Sequence, residues 1–253
     1  MNIGILGTGA IGSILARKFA NAGNSVKVTN TREMPELKKI AEDLGAEAAS
    51  TQDVVKDVDV IIFSMPFSAY KNLPKDLLKD VPKDVVIIDT SNYYPMRDGD
   101  IPELNDKTES DYISSVLGRP LTKLFNNIME YTFKNKGKAS GGKDRIAIAV
   151  AGDNPEHKKA ASQLADITGF DTVDTGNLSD SWRQQPGTPA YCTELNAAEL
   201  KKALDIAVRN KAPETRDKIM DKLQEYDLQQ DHDKIVALNR SMSYESVGQE
   251  YKA

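Results

Sequence analysis

The stretch GILGTGAIGS at residues 4–13 constrains this chain more than any other. Three glycines, Gly7, Gly9 and Gly12, stand in the spacing GxGxxG. That spacing alone is a weak signal, so its surroundings decide the reading. Residues 2–6 (NIGIL) before it form a short apolar run that predicts a buried strand. Ile11, Ile14, Leu15, Phe19 and Ala22 after it recur at helical spacing, and Gly23-Asn24 predicts the helix end. A glycine turn between a strand and a helix suits a dinucleotide: Gly7 permits the tight turn, Gly9 lets backbone approach a pyrophosphate, and Gly12 lets helix pack on strand. The free N–H groups near Ala10 and Ile11, together with the helix dipole, make an anion site.

The rest of the first half repeats strand and helix. Strands are predicted at 25–29 (SVKVT), 58–64 (VDVIIFS) and 84–89 (DVVIID), with a helix at 35–44 and a helix-like segment at 67–80. Continuous apolar strands suit a parallel sheet buried on both faces. The predicted class is therefore α/β, a Rossmann doubly wound parallel sheet. Residues 92–111 read as a long polar loop, 112–125 as a helical turn and a strand, and 134–145 as a basic loop. A strand at 146–151, a helix at 155–168 opened by Asn154-Pro155, and a strand at 171–174 follow. Helices are expected at 194–210 and 214–226, and a polar, partly disordered tail after them. The division expected is a dinucleotide-binding domain over 1–180 and a small helical C-terminal region over 181–253.

The tip of the second strand selects the dinucleotide. Thr29-Asn30-Thr31-Arg32 has no carboxylate to accept from a ribose 2′-hydroxyl, whereas Arg32 can pair with a 2′-phosphate and Thr31 can donate to it. The reading is NADP(H). Ligands of such sheets lie at the carboxyl ends of the strands. Ser64-Met65-Pro66-Phe67 and Thr90-Ser91-Asn92 should therefore border the cofactor, with Met65 and Phe67 packing on a ring and Asn92 bonding ribose or carboxamide.

Acid–base groups are scarce. No Tyr-x-x-x-Lys pair is evident, and Lys123, in LTKLFNNI at 121–128, is the best candidate proton donor. Hydride transfer to a flavin-like ring needs mainly stacking and alignment, so this scarcity favours such an acceptor. Two other readings stay open. One is an NADPH-dependent reductase of a small carbonyl or imine, with Lys123 or Tyr191 donating the proton. The other is a non-catalytic NADPH-binding sensor.

Composition excludes other classes. The chain has 253 residues, a net charge of −5, one cysteine and two histidines. It offers no general attraction to nucleic acid or anionic membrane, no intrachain disulfide, and no His/Cys metal site. No apolar run approaches the ~20 residues that span a bilayer. The N-terminus opens directly on a strand, so a cytoplasmic location is expected. Leu195, Leu200, Leu204, Ala207, Ile219 and Leu223 in the C-terminal helices are apolar positions that either close the cleft or support a homodimer.

The motifs GILGTGAIGSILARKFANAG, the Asn30-Thr31-Arg32 tip, DVIIFSMPF, VVIIDTSN, LTKLFNNI, AVAGDNPEHKK and DTGNLSDS run in order over about the first 180 residues. In this order they resemble the NADPH-dependent coenzyme F420 reductases, the F420:NADP oxidoreductases. They are also similar to the cytosolic reductase domain of the six-transmembrane metalloreductases. The resemblance implies NADP at the glycine turn and a deazaflavin or flavin (F420, FMN or FAD) stacked on the nicotinamide. It implies phosphate contacts from Thr8, Ala10, Ile11, Thr31 and Arg32. Met65, Pro66, Asn92 and Asn126 would border the nicotinamide, with Lys123 and Asn126 positioning rings. The chain departs from the family at Glu33-Met34-Pro35 and in a longer C-terminal part. That part includes Trp182 to Cys192, where Trp182 and Tyr191 are candidates to stack on an acceptor and Arg183 to hold its anionic tail.

Overall fold

The computed structural model describes residues 1–105, 107–228 and 230–251. Asp106, Gln229, Lys252 and Ala253, which fall in the expected long loop, C-terminal region and tail, lie outside the described residues.

The expected alternation is present. In chain order the first half runs β1 (Asn2–Leu6), α1 (Ala10–Asn21), β2 (Ser25–Thr29), α2 (Met34–Leu44), β3 (Glu47–Ala48), β4 (Val60–Phe63) and β5 (Val86–Asp89). It continues through α3 (Pro95–Asp98), α4 (Glu109–Leu117), β6 (Thr122–Lys123), α5 (Glu130–Asn135), β7 (Ala147–Ala151), α6 (Pro155–Thr168) and β8 (Asp171–Gly176). Three more helices follow, α7 (Ala197–Ile206), α8 (Ala212–Leu223) and α9 (His232–Ser246). The strands form one sheet in the order β3-β2-β1-β4-β5-β6-β7-β8. Every neighbouring pair is parallel except β6 and β7, which meet antiparallel at Lys123 and Ala151. The chain is an α/β protein with a Rossmann-type sheet and a helical C-terminal region.

Burial on both faces explains the continuous apolar strands. Val60 and Ile62 face a core with Leu15, Phe19 and Leu164, while Ile61 and Phe63 face a second core with Phe67, Tyr70 and Ile113. A third cluster joins Ala147 and Ala149 of β7 to Leu200 and Leu204 of α7. No helix of the described residues is long and apolar enough to cross a membrane.

Three local expectations are corrected. Residues 67–80 do not form one helix: a 3-10 segment covers Phe67–Asn72, and Leu73 turns extended before Pro74, as the residue ahead of a proline must. Residues 92–111 are not one loop, because they carry α3, a 3-10 turn at Pro102–Asn105 and the start of α4. Thr108 caps α4 by accepting from the Asp111 amide at 3.1 Å. The tail is not disordered over 232–246. It is α9, which buries Ile235, Val236, Asn239 and Ser243 along one side.

A buried carboxylate ties the sheet's middle together. Asp89, at the end of β5, is 0% exposed. It accepts from Tyr70 Oη at 2.6 Å, the Ser91 amide at 2.9 Å, Ser91 Oγ at 2.7 Å and Lys123 Nζ at 2.7 Å. Lys123 Nζ also donates to the Ser91 carbonyl. Removing one partner of such a pair leaves an uncompensated charge in the interior. Lys123→Met is therefore expected to lower stability by about 3–5 kcal/mol in urea unfolding, with part of the loss recovered in the double variant that adds Asp89→Asn. A loss below about 1 kcal/mol would place the pair among ordinary surface contacts.

Candidate functional site

The glycine turn divides its labour. A Cβ on Gly7, whose φ is +106°, would stand 2.0 Å from the Ser64 carbonyl oxygen. A Cβ on Gly12 would stand 2.0 Å from the Gly7 carbonyl oxygen. Both glycines are thus required by the protein's own packing. Gly9 is different: a Cβ there would meet nothing within 4 Å, and its φ of −74° suits any residue. Its bareness serves the open side, where a ligand backbone of phosphates can approach. Gly9 gives α1 no side-chain cap, and the first turn holds no acidic residue, so its amides are left for an anion. The residues present fit a dinucleotide pyrophosphate on this ground.

The strand tips are stitched around that turn. The Gly7 amide donates to the Thr29 carbonyl at 2.8 Å, and the Ser64 amide to the Leu6 carbonyl at 2.8 Å. Asn30 Nδ2 donates to Thr8 Oγ1 at 2.6 Å, and the Arg32 amide donates to Asn30 Oδ1 at 2.8 Å. Asn30 therefore fixes the tip of β2 against the turn. Thr31 and Arg32 follow it in an exposed bend, where Arg32 pairs with Glu36 of α2. This exposed pair is weak and is readily exchanged for a better anion.

A cavity of about 780 Å³ opens from this turn along the carboxyl ends of β4 and β5. Gly9, Ala10 and Ile11 line it at the turn, then Ser64, Met65 and Pro66, then Thr90, Ser91 and Asn92, then Phe125 and Asn126. Gly7, Thr8, Gly12, Asn30, Thr31 and Arg32 stand behind or beside this lining rather than in it. Pro186, Gly187, Tyr191 and Cys192 form another wall, and Ile219, Met220, Leu223, Ile235 and Asn239 of α8 and α9 close it.

Asn92 and Asn126 meet across the cleft. Asn126 Nδ2 donates to Asn92 Oδ1 at 3.0 Å and to the Gln184 carbonyl at 2.9 Å, and Gln184 Nε2 donates to Asn126 Oδ1 at 2.8 Å. Asn92 Nδ2 donates to the Asn126 carbonyl at 2.9 Å. Both amides are thereby oriented, which is what a ring-positioning group needs.

Other expected residues lie elsewhere. Lys123 is 1% exposed, sits behind Ser91 in its pair with Asp89, and does not line the cavity. There its bonds to Asp89 and the Ser91 carbonyl tie the floor of the cleft together. Phe67 is core, packed on Tyr70, Tyr93 and Tyr112. Trp182 and Arg183 do not line the cavity either: the Arg183 guanidinium lies over the Trp182 ring and donates to the Leu204 carbonyl at 3.1 Å. Tyr191 does line it. Its hydroxyl lies 2.7 Å from Tyr94 Oη, and burial pushes both phenols above their usual range. Burial pushes the Cys192 thiol up to about 12, which leaves it unreactive.

Sequence reasoning missed Tyr94, Arg97, Phe125, Arg216 and His232 in the lining. One signal was available. Arg216 stands three, four and seven residues before Ile219, Met220 and Leu223, an arginine on an apolar helical stripe.

Glu109 lies near this centre. Its Oε2 accepts from the Tyr93 amide at 3.2 Å, and burial raises its carboxyl from 4.5 to about 7. The folded protein then binds a proton that the unfolded chain has released, so stability falls as pH rises from about 4.5 to about 7. Glu109→Gln is expected to remove this slope, with a gain over the parent that reaches about 3 kcal/mol above pH 7, read from denaturation midpoints. The glycine turn supplies a second test. Gly12→Ala is expected to cost about 1–3 kcal/mol, while Gly9→Ala leaves the melting temperature alone and weakens NADP binding at least about tenfold by calorimetry.

Comparison with known proteins agrees with this geometry. Residues 2–93 match the family model of the coenzyme F420-dependent NADP oxidoreductases. The protein YjhV of Escherichia coli K12 is 34% identical over 104 residues, which span 41% of this chain and 76% of YjhV. The structure of the hypothetical protein SMa0349 from Sinorhizobium meliloti aligns with a TM-score of 0.60 at 22% identity, over 73% of this chain and 89% of that one. A protein of Arthrobacter sp. FB24, assigned as an F420-dependent NADP reductase, aligns with a TM-score of 0.57 at 19% identity, over 72% and 87% of the two chains. At these identities the two structures bear on the fold.

Proposed function

Because this chain belongs to the coenzyme F420-dependent NADP oxidoreductase family and is an NADP-dependent oxidoreductase, we propose that it passes hydride between NADP(H) and a flavin-type ring, with the deazaflavin F420 first among acceptors. NADP(H) supplies the hydride when bound. The glycine-turn amides of Gly9, Ala10 and Ile11 would hold the pyrophosphate, and Thr31 with Arg32, released from Glu36, the 2′-phosphate. Met65, Pro66, Asn92 and Asn126 would border the nicotinamide, and Lys123 would act through Asp89 and Ser91 as a positioning residue.

One observation carries the acceptor. Both proton donors read from the sequence, Lys123 and Tyr191, are poorly placed or poor acids. Lys123 is sealed in its ion pair, and the Tyr191 phenol is pushed well above its usual range by burial. Reduction of a carbonyl or imine needs a proton delivered in step with hydride. A conjugated flavin-type ring takes up the charge itself, and needs mainly a shaped, water-poor cavity that aligns it.

The test is NADPH oxidation followed optically against F420, FMN, FAD, ferric chelate and simple quinones, with NADH in parallel. Turnover with F420 or a flavin and a preference for NADPH is the expected result. Turnover confined to small carbonyls or imines, lost by more than about 100-fold in Tyr191→Phe, would overturn it. NADPH binding with no turnover on any acceptor would point to sensing instead. In the same assay Arg32→Ala is expected to raise the KM for NADPH roughly 10- to 100-fold and to leave that for NADH within about twofold.

A further inference from the structure

The cavity carries more cationic than anionic side chains. Arg97, Lys134 and Arg216 line it, against Glu130. Two of these are accounted for. Arg97 is committed: Nη2 donates to the Asn92 carbonyl at 2.6 Å and pairs with Asp98 at 2.8 Å. Lys134 is exposed on α5. Arg216 has neither excuse. It stands on α8 with a side chain only 10% exposed. Nε donates to Asp217 Oδ1 at 2.8 Å, and neither terminal nitrogen has a hydrogen-bond partner among the described residues.

Arg216 lines the cavity with terminal nitrogens that no acceptor among the described residues binds and that are not sealed from solvent, so they stay available to an acceptor entering it. Its surroundings only partly compensate. Asp217 is 60% exposed and engages Nε alone. A second carboxyl that feels this charge is Glu109, which burial keeps partly protonated near neutral pH. Tyr93 offers a ring face 5.8 Å away, and no acceptor bond. The place is informative as well. Tyr93 directly follows Asn92 at the end of β5, and Gly187, whose Cβ would lie 2.6 Å from the Arg216 amide, joins the same wall. Arg216 therefore belongs to the cleft's acceptor side, on an element other than the glycine turn and the β2 tip.

We propose that Arg216 is a specificity-determining residue whose free guanidinium fork binds an anionic substituent, a phosphate or carboxylate, on the hydride acceptor. This rests on the flavin-type reading above. It gives this chain's α8 the anion-binding part that sequence reasoning assigned to Arg183. A planar fork suits an oxyanion bound through two oxygens, and a ring without such a group leaves it uncompleted. The acceptor selected is thus a flavin-type ring with a charged tail rather than the bare ring.

FMN and riboflavin differ by one phosphate and probe this directly. Each is titrated into protein saturated with NADP⁺, for the parent, Arg216→Gln and Arg216→Lys. The expected result is FMN binding roughly 10- to 100-fold tighter than riboflavin in the parent, with that preference lost in Arg216→Gln and partly kept in Arg216→Lys. The Kd for NADP⁺ should stay within about twofold. An unchanged FMN-to-riboflavin ratio in Arg216→Gln overturns the proposal. So does a loss of NADP⁺ affinity without loss of the ratio, which would make Arg216 part of the dinucleotide site, and so does failure of both ligands to bind. NADPH oxidation, read separately, tells the two readings apart. Equal turnover of FMN and riboflavin keeps hydride transfer and removes the anion subsite. Arg216-dependent FMN binding without NADPH oxidation keeps the subsite and removes hydride transfer.

Discussion

The carboxylate of Asp89 is the point on which this structure hangs. It sits in the middle of the sheet with no solvent, and such a charge persists only when fully partnered. Its donors come from three places: the 3-10 segment after β4, the turn after β5, and β6. Each donor therefore fixes one segment at the edge where ligands bind. Lys123 adds a bond to the Ser91 carbonyl and so dictates how the chain leaves β5. That exit direction is what delivers Asn92 to face Asn126. Lys123 is also where the sheet changes sense, since its partner on the far side is antiparallel. A hydrophobic residue would fill the space at less desolvation cost, but would leave those three segments without a common anchor.

On that frame the cavity is assembled from parts with different obligations. Gly7 and Gly12 answer to packing, Gly9 to open space. The Asn92–Asn126–Gln184 amides answer to one another and hold a fixed pose. The C-terminal helices supply a largely apolar wall that also carries Arg216, held among the described residues only through its Nε bond to Asp217 and the Tyr93 ring. Burial makes the Tyr94 and Tyr191 phenols and the Cys192 thiol poor acids, which fits the proposed transfer to a ring that needs orientation more than a proton.

How much of this was legible follows from range. The glycine turn, the buried strands and α6 with its Asn154-Pro155 start are written in neighbouring residues, and local patterns recovered them. Lys123 read as a candidate acid because its partner lies 34 residues earlier, and nothing in the sequence couples the two. Trp182 and Arg183 read as acceptor contacts because aromatic and cationic residues cluster there. Their stacking on each other and the tie to Leu204 depend on where α7 ends. α9 escaped because its buried side alternates Ile235 and Val236 with Asn239 and Ser243, which dilutes the apolar signal. Arg216 was visible as an oddity on an apolar stripe, but its meaning needed the cavity.

The position of α8 and α9 has a consequence for how the protein comes into being. The dinucleotide turn and the β2 tip that frames it are complete once β4 brings Ser64 against Gly7, well within the first half of the chain. The cavity's last wall is supplied by Ile235 and Asn239, far along the chain from the glycine turn. Contacts of such long sequence separation form late. A folding chain thus owns a nucleotide turn before it owns an enclosed chamber. A cofactor bound before that wall docks would face water on its reactive side, so the chamber shelters chemistry only in the fully folded chain.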